Sequence, residues 1–308
     1  MDASVRSVLI MGLVFVAAQL GALVMVSSVL GAQYAAFENP NDPMIPILYI
    51  LAMVLFTFLV LYIIKKHREN IVRLVFLGAV AFTIFYVVLV TMYLVDTGLI
   101  ALSVAIAVTA VITYFLVKKP EWYVIDAAGA IVAVGVIGIF GISLDILPVM
   151  VLLIVLAVYD AISVYGTKHM VALADGVTQM RLPILLVIPK KKDYSYLNQK
   201  PLKQQLDEGS EREAMFMGLG DIIIPGVLIS SAFYFLPSDL VAGVPGRLLV
   251  SLGTLIGSVV GFGVLMRFVL KGNPQAGLPL LNGGAIIGYI VSYILVFGSL
   301  SLGITLAW

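Results

Sequence analysis

The chain contains no cysteine and only two histidines, His67 and His169. Without cysteine there is no disulfide, no thiol nucleophile and no thiolate metal ligand. The two histidines lie far apart and outside any His-Glu-x-x-His pattern, so zinc-assisted hydrolysis has no ligand set. Neither lies inside an apolar run, which removes the base that a membrane-embedded serine nucleophile needs. Charge is scarce as well, at 11% of residues, against about 25% in an ordinary soluble domain. The net charge of +1 excludes the basic excess of a nucleic-acid partner. No Asn-x-Ser/Thr glycosylation site occurs.

What is abundant is apolar surface. Hydrophobic residues make up 62% of the 308 positions, and the mean hydropathy is +1.13. No water-soluble core hides that much, so the sequence predicts an all-α, multi-pass integral membrane protein. Runs long enough to cross a bilayer number nine: 5–30, 44–64, 71–95, 98–117, 122–142, 146–166, 214–236, 247–270 and 277–302. The first exceeds the core of a signal peptide, so it reads as a retained span. The polar stretch 167–213 divides the chain into a six-span part, 1–166, and a three-span part, 214–308. Within that stretch Ile184-Leu185-Leu186-Val187-Ile188 is too short to cross and is bounded by Pro183 and Pro189. It is either a short strand at the membrane surface or a buried anchor.

Charge sets the orientation. With a cytoplasmic N-terminus, every Lys and Arg except Arg247 falls in a cytoplasmic segment. Glu38, Asp42, Asp96, Asp145 and Asp239 then line the opposite face. That follows the positive-inside rule and places the C-terminus outside.

Two acids stand more than one turn inside apolar runs, Asp160 in the sixth and Asp221 in the seventh. A carboxylate in hydrocarbon costs a few kcal/mol or more and calls for a function. Asp160 lies six residues before Gly166 and Asp221 seven after Ala214. On antiparallel helices both fall about 10 Å in from the cytoplasmic end. Neighbouring helices pack about 8–10 Å apart, so inward-pointing carboxyls can meet across one water. Such a pair shares one proton: one member activates water and the other protonates a carbonyl or leaving amine. The same acids could instead form a proton or cation site in a transporter or leak channel. Against transport, six spans before the loop and three after it form no matching halves.

Small residues surround the second acid. Gly218 and Gly220 flank Leu219, which suits either close approach of another backbone or ordinary helix packing. Gly277-Leu278-Pro279 opens the ninth span at a similar level, as irregular backbone or as a plain helix start. Gly253, Gly257 and Gly261 recur at helical spacing and read as a packing face. Asp126, one turn into the fifth span, reads as structural and near the interface.

Tyr159-Asp160 in a sixth span, Gly218-Leu219-Gly220-Asp221 in a seventh, and Pro279-Leu280-Leu281 in a ninth resemble the Tyr-Asp, Gly-x-Gly-Asp and Pro-Ala-Leu motifs of presenilins and signal peptide peptidases. The stretches 159–170 and 271–284 look especially similar to archaeal presenilin homologues. The resemblance spans the chain and implies a presenilin-like fold. It implies an intramembrane aspartyl protease that cuts single-span helical substrates. Asp160 and Asp221 would be the catalytic pair, supported by Tyr159, Gly218, Leu219 and Gly220. Pro279, Leu280 and Leu281 would position substrate, with Leu280 departing from the family's Ala. In the family the substrate unwinds and pairs as a strand, which gives 184–188 a candidate role. The resemblance implies no cofactor or metal and no obligatory partner subunit. It implies membrane lipid and a transmembrane peptide or protein as partners, a location in the cell membrane, and leaves a homo-oligomer open.

Overall fold

The computed structural model describes residues 3–28, 35–37, 39–66, 69–95, 98–167, 183–191, 193–198, 213–271 and 275–304. Most of the 167–213 stretch, together with Glu38, Asp96, His67 and His169, lies outside the described residues.

Each expected span contains a helix. Among the described residues there are nine: α1 (Ala3–Ser28), α2 (Met44–Lys65), α3 (Glu69–Met92), α4 (Leu99–Lys118), α5 (Trp122–Ser143), α6 (Ile146–Ala161), α7 (Leu219–Phe235), α8 (Gly246–Val269) and α9 (Leu278–Phe297). Seven helices are long and apolar enough to cross a membrane, while α7 has only 17 residues. Large apolar side chains stand outward along them, including Leu74, Phe82, Ile256 and Leu295. In water that area would aggregate; a bilayer is its proper solvent.

One expectation fails in detail. The seventh run is not helical from its start. Residues Ala214–Gly218 form a strand, β2, antiparallel to β1 (Leu185–Pro189). A continuous apolar run carries no period that separates strand from helix, and pairing with β1 decides the matter. Asp221 therefore sits in the first turn of α7, not two turns into it. The choice left open for 184–188 resolves as strand. A second small sheet, β3 (Leu240–Val241) with β4 (Val244–Pro245), turns through Ala242 and Gly243, both at positive φ.

The chain falls into two compact units. The first comprises Met1–Met11, Leu48–Val132 and Lys168–Leu219. Its core gathers Ile84, Leu116, Ile125, Val187 and Tyr196 from α3, α4, α5 and the segment around β1. Glu121, just before α5, and Asp126 within it hold that segment. Glu121 accepts from Ser195 Oγ at 2.7 Å and from the Tyr196 N–H at 3.0 Å. Asp126 accepts from the Val187 N–H at 2.7 Å.

The second unit comprises Gly12–Ile47, Ala133–Thr167 and Gly220–Trp308. Asp145 caps α6, accepting from the Ile146 N–H at 2.7 Å, a contribution of about 1 kcal/mol. The expected glycine face is where α8 meets α9. A Cβ on Gly257 would strike the Gly284 carbonyl and the Gly288 backbone, and one on Gly261 the backbone of Leu280 and Leu281. Lipid supplies no hydrophobic drive between helices, so backbone proximity stands in for side-chain burial. Gly257→Val is therefore expected to lose about 1–3 kcal/mol through overpacking, read as a lower melting temperature in detergent. An unchanged melting temperature would show that the helices do not approach this closely.

Candidate active site

The site lies in the second unit, where α6 ends, α7 begins and α9 begins. Asp160 is in the last turn of α6 and is 4% exposed. The helix then widens into a π-helical turn over Ile162–Thr167, a feature frequent at functional sites. The Asp160 Oδ2 accepts from the Leu278 N–H at 3.0 Å, and the Gly277 amide faces the same carboxyl. Leu278 opens α9, and Pro279 follows in its first turn. The first N–H groups of a helix have no partner within it, so they are ready donors for an anion.

Asp221 reaches the same dipeptide at Gly277. Its Oδ1, Cγ and Oδ2 lie 3.2, 3.3 and 3.3 Å from where a Cβ on Gly277 would be. A side chain at 277 would press on that carboxyl, which would have to shift by a few tenths of an ångström. Pro225 lies four residues after Asp221 inside α7. It offers no N–H, so the helix bond that would close the turn onto the Asp221 carbonyl cannot form. The turn carrying the acid is less tightly bound than ordinary helix.

Two tethers fix the Gly277–Leu278 segment. Asn282, fully buried one turn into α9, donates from Nδ2 to the Leu153 carbonyl of α6 at 2.9 Å. Tyr165, in the π-helical turn, donates to Gln275 Oε1 at 2.8 Å and accepts from the Ala276 N–H at 3.4 Å. Neither residue carries a sequence signal beyond its distance from the acids. Tyr165 lies five positions after Asp160, and Asn282 three after Pro279.

The other candidate residues are placed as follows. Tyr159 is 47% exposed while its neighbour Asp160 is buried, and its carbonyl accepts from Ser163 Oγ at 2.8 Å. In the first unit, Gly218 pairs with Leu185, and the Leu219 N–H donates to the Ile184 carbonyl at 3.1 Å. The Leu219 side chain lies against Gly129. A Cβ on Gly220 would meet nothing within 4 Å. The plain helix start describes Pro279, whose two successors differ in exposure. Leu281 is fully buried, whereas Pro279 and Leu280 are half-buried. No cluster of His, Cys, Asp and Glu suited to a metal ion occurs among the described residues.

The Asn282 tether has a measurable weight. Asn282→Ala removes the bond to Leu153 and leaves a buried void. It is expected to lower stability by about 1–3 kcal/mol, read by thermal unfolding in detergent. Unaltered stability would show that α6 and α9 are held by other contacts.

Known proteins resemble the chain over most of its length. The family model for signal-peptide peptidase, presenilin aspartyl protease matches residues 11–298. Two solved structures of a presenilin family intramembrane aspartate protease are similar to the chain. The one in space group C222 has a TM-score of 0.68 at 33% identity, covering 94% of this chain and 99% of that one. The one in space group P2 has a TM-score of 0.64 at 33% identity, covering 92% and 96%. No curated protein matches. The chain belongs to the signal-peptide peptidase and presenilin family of aspartyl proteases.

Proposed function

We propose that the chain hydrolyses peptide bonds within membrane-spanning helices, using Asp160 and Asp221 as a catalytic pair. The observation that carries this reading is their convergence on Gly277–Leu278. Two carboxyls held this close in a poor dielectric share one proton. The ionised member draws a proton from water, which attacks the scissile carbonyl. The protonated member delivers its proton to the carbonyl oxygen, giving a gem-diol. The member that took water's proton then passes it to the departing amine as the C–N bond breaks, while the first member takes a proton back from the diol, which restores the pair. The apparent titration belongs to the pair and not to either acid alone. No covalent intermediate forms, and no metal enters.

The backbone of Gly277 and Leu278 orients Asp160, and Pro279 and Leu280, half-buried beside it, receive the substrate backbone. A helix hides its carbonyls in its own hydrogen bonds, so the substrate must unwind before water can reach one. We assign the β1–β2 sheet as the platform that takes the unwound segment as an added strand. Gly218, Leu219 and Gly220 carry β2 toward Asp221 without bulk on either side of Leu219. In this reading the protein sits in the cell membrane with a cytoplasmic N-terminus and works without obligatory partner subunits. Lipid and a single-span helical peptide or protein are its partners.

Asp160→Asn and Asp221→Asn are each expected to abolish cutting of a transmembrane reporter peptide in detergent, by at least about 10³-fold, with folding intact. Full activity in either variant would contradict the reading. Gly277→Val places a methyl-bearing carbon against the Asp221 carboxyl. It is expected to reduce kcat by about 100-fold, as misplacement of a reacting group does, with KM little changed. Wild-type kcat in that variant would show that Asp221 does not depend on this glycine.

A further inference from the structure

The sheet in the first unit has one edge already taken. In the antiparallel pairing of β1 with β2, the Lys190 N–H bonds the Glu213 carbonyl at 2.8 Å and the Leu219 N–H bonds the Ile184 carbonyl at 3.1 Å. Bonded pairs alternate along such a ladder. Leu186 and Ile188 therefore face β2, while Leu185, Val187 and Pro189 turn their backbone groups outward. The outward Val187 N–H donates to Asp126 Oδ1 at 2.7 Å. Pro189 has no N–H, and its carbonyl accepts from Ser7 Oγ at 3.0 Å. From 187 to 189 the outward edge therefore offers no free N–H, and its Pro189 carbonyl is taken.

On β2 the same alternation turns Ala214, Phe216 and Gly218 outward. Among the described residues no hydrogen bond from these outward groups is recorded. Ala214 is buried, while Phe216 and Gly218 are partly exposed; an unpaired row of this kind is a template for an added strand. β2 also runs directly into the helix that carries Asp221.

We propose that Asp126 is a positioning residue that closes the outer edge of β1, so that an unwound substrate segment adds only to β2 and in a single register. The proposal rests on the reading of the chain as a protease that takes its substrate as a strand. Asp126 does not touch the reacting atoms. It acts through Val187, and it is well placed to do so because Glu121, just ahead of α5, also holds the following segment. With Asp126 absent, β1 offers a second edge and loses its anchor. A substrate strand then has alternative pairings, and slippage by two residues keeps each side chain on its own face.

The test compares Asp126→Ala with Asp126→Asn on a transmembrane peptide in detergent, with cut positions read by mass spectrometry. Asp126→Ala is expected to raise KM about fivefold, the weight of one lost hydrogen bond. It is also expected to raise cuts two residues from the main site severalfold. Its kcat and its affinity for a small hydroxyl-containing transition-state mimic should stay near wild type. Asp126→Asn, which keeps an accepting oxygen, should restore the wild-type KM and cut pattern. Unchanged KM and cut positions in Asp126→Ala would overturn the proposal. So would equal disturbance by Ala and Asn, which would mean that charge and not the acceptor matters. If Asp126→Ala does not fold, Ser7→Ala opens the same edge at the Pro189 carbonyl and is judged by the same two criteria. Failure of the unaltered protein to cut any peptide would instead overturn the protease reading beneath the proposal.

Discussion

The arrangement depends on one hydrogen bond, from the Leu278 N–H at the head of α9 to the Asp160 carboxyl at the foot of α6. A helix begins with N–H groups that its own turns cannot satisfy. A buried acid needs donors that water cannot bring. Each end of that bond answers the other's need. Because the donor belongs to a backbone fixed by Pro279, the acid cannot rotate freely without losing it. Asn282 repeats the joint one turn deeper, tying α9 to the Leu153 carbonyl. Asp221 lies against the same place, where a side chain at residue 277 would crowd it.

From that joint the rest of the second unit follows. For α9 to present its first turn to α6, it must be braced along its length. The brace is α8, which approaches so closely that Gly253, Gly257 and Gly261 face Ser292, the backbone of Gly284 and Gly288, and the backbone of Leu280. Small residues are the means of helix association in lipid, where burying another leucine gains little. The α8–α9 contact is therefore part of the site's support even though no residue of α8 is acidic or catalytic in character. In the first unit the scale is smaller but the logic is alike. Asp126 of α5 and Glu121 just ahead of it complete the backbone bonding of a segment that cannot satisfy itself.

Much of this was legible in the sequence, for a physical reason. Bilayer thickness fixes the length of a span, so nine helices could be counted from apolar runs. The expense of a buried carboxylate singled out Asp160 and Asp221, whereas the helix rise that set them level counted Ala214–Gly218 as helix, and those residues are strand. What the sequence could not show was where an apolar run changes its backbone. Ala214 to Gly218 looks like the start of a span, and only pairing with β1 makes it a strand. The role of Asp126 was also hidden. Alone it reads as an acid near the membrane surface, and its partner is a backbone N–H far along the chain. Tyr165 and Asn282 escaped notice for the same reason, since a polar side chain announces a partner without naming it.

The absence of cysteine allows a direct test of the central convergence. Asp160→Cys and Asp221→Cys together would be the only two thiols in the chain. In native membranes a bifunctional thiol reagent of about 10 Å reach, the spacing of neighbouring helices, should join them within one molecule. The same reagent should leave Asp145→Cys with Asp160→Cys unjoined, because these lie about 20 Å apart along α6. Efficient joining of the first pair and none of the second is the predicted result. A first pair that never joins, while each thiol reacts singly, would contradict the account.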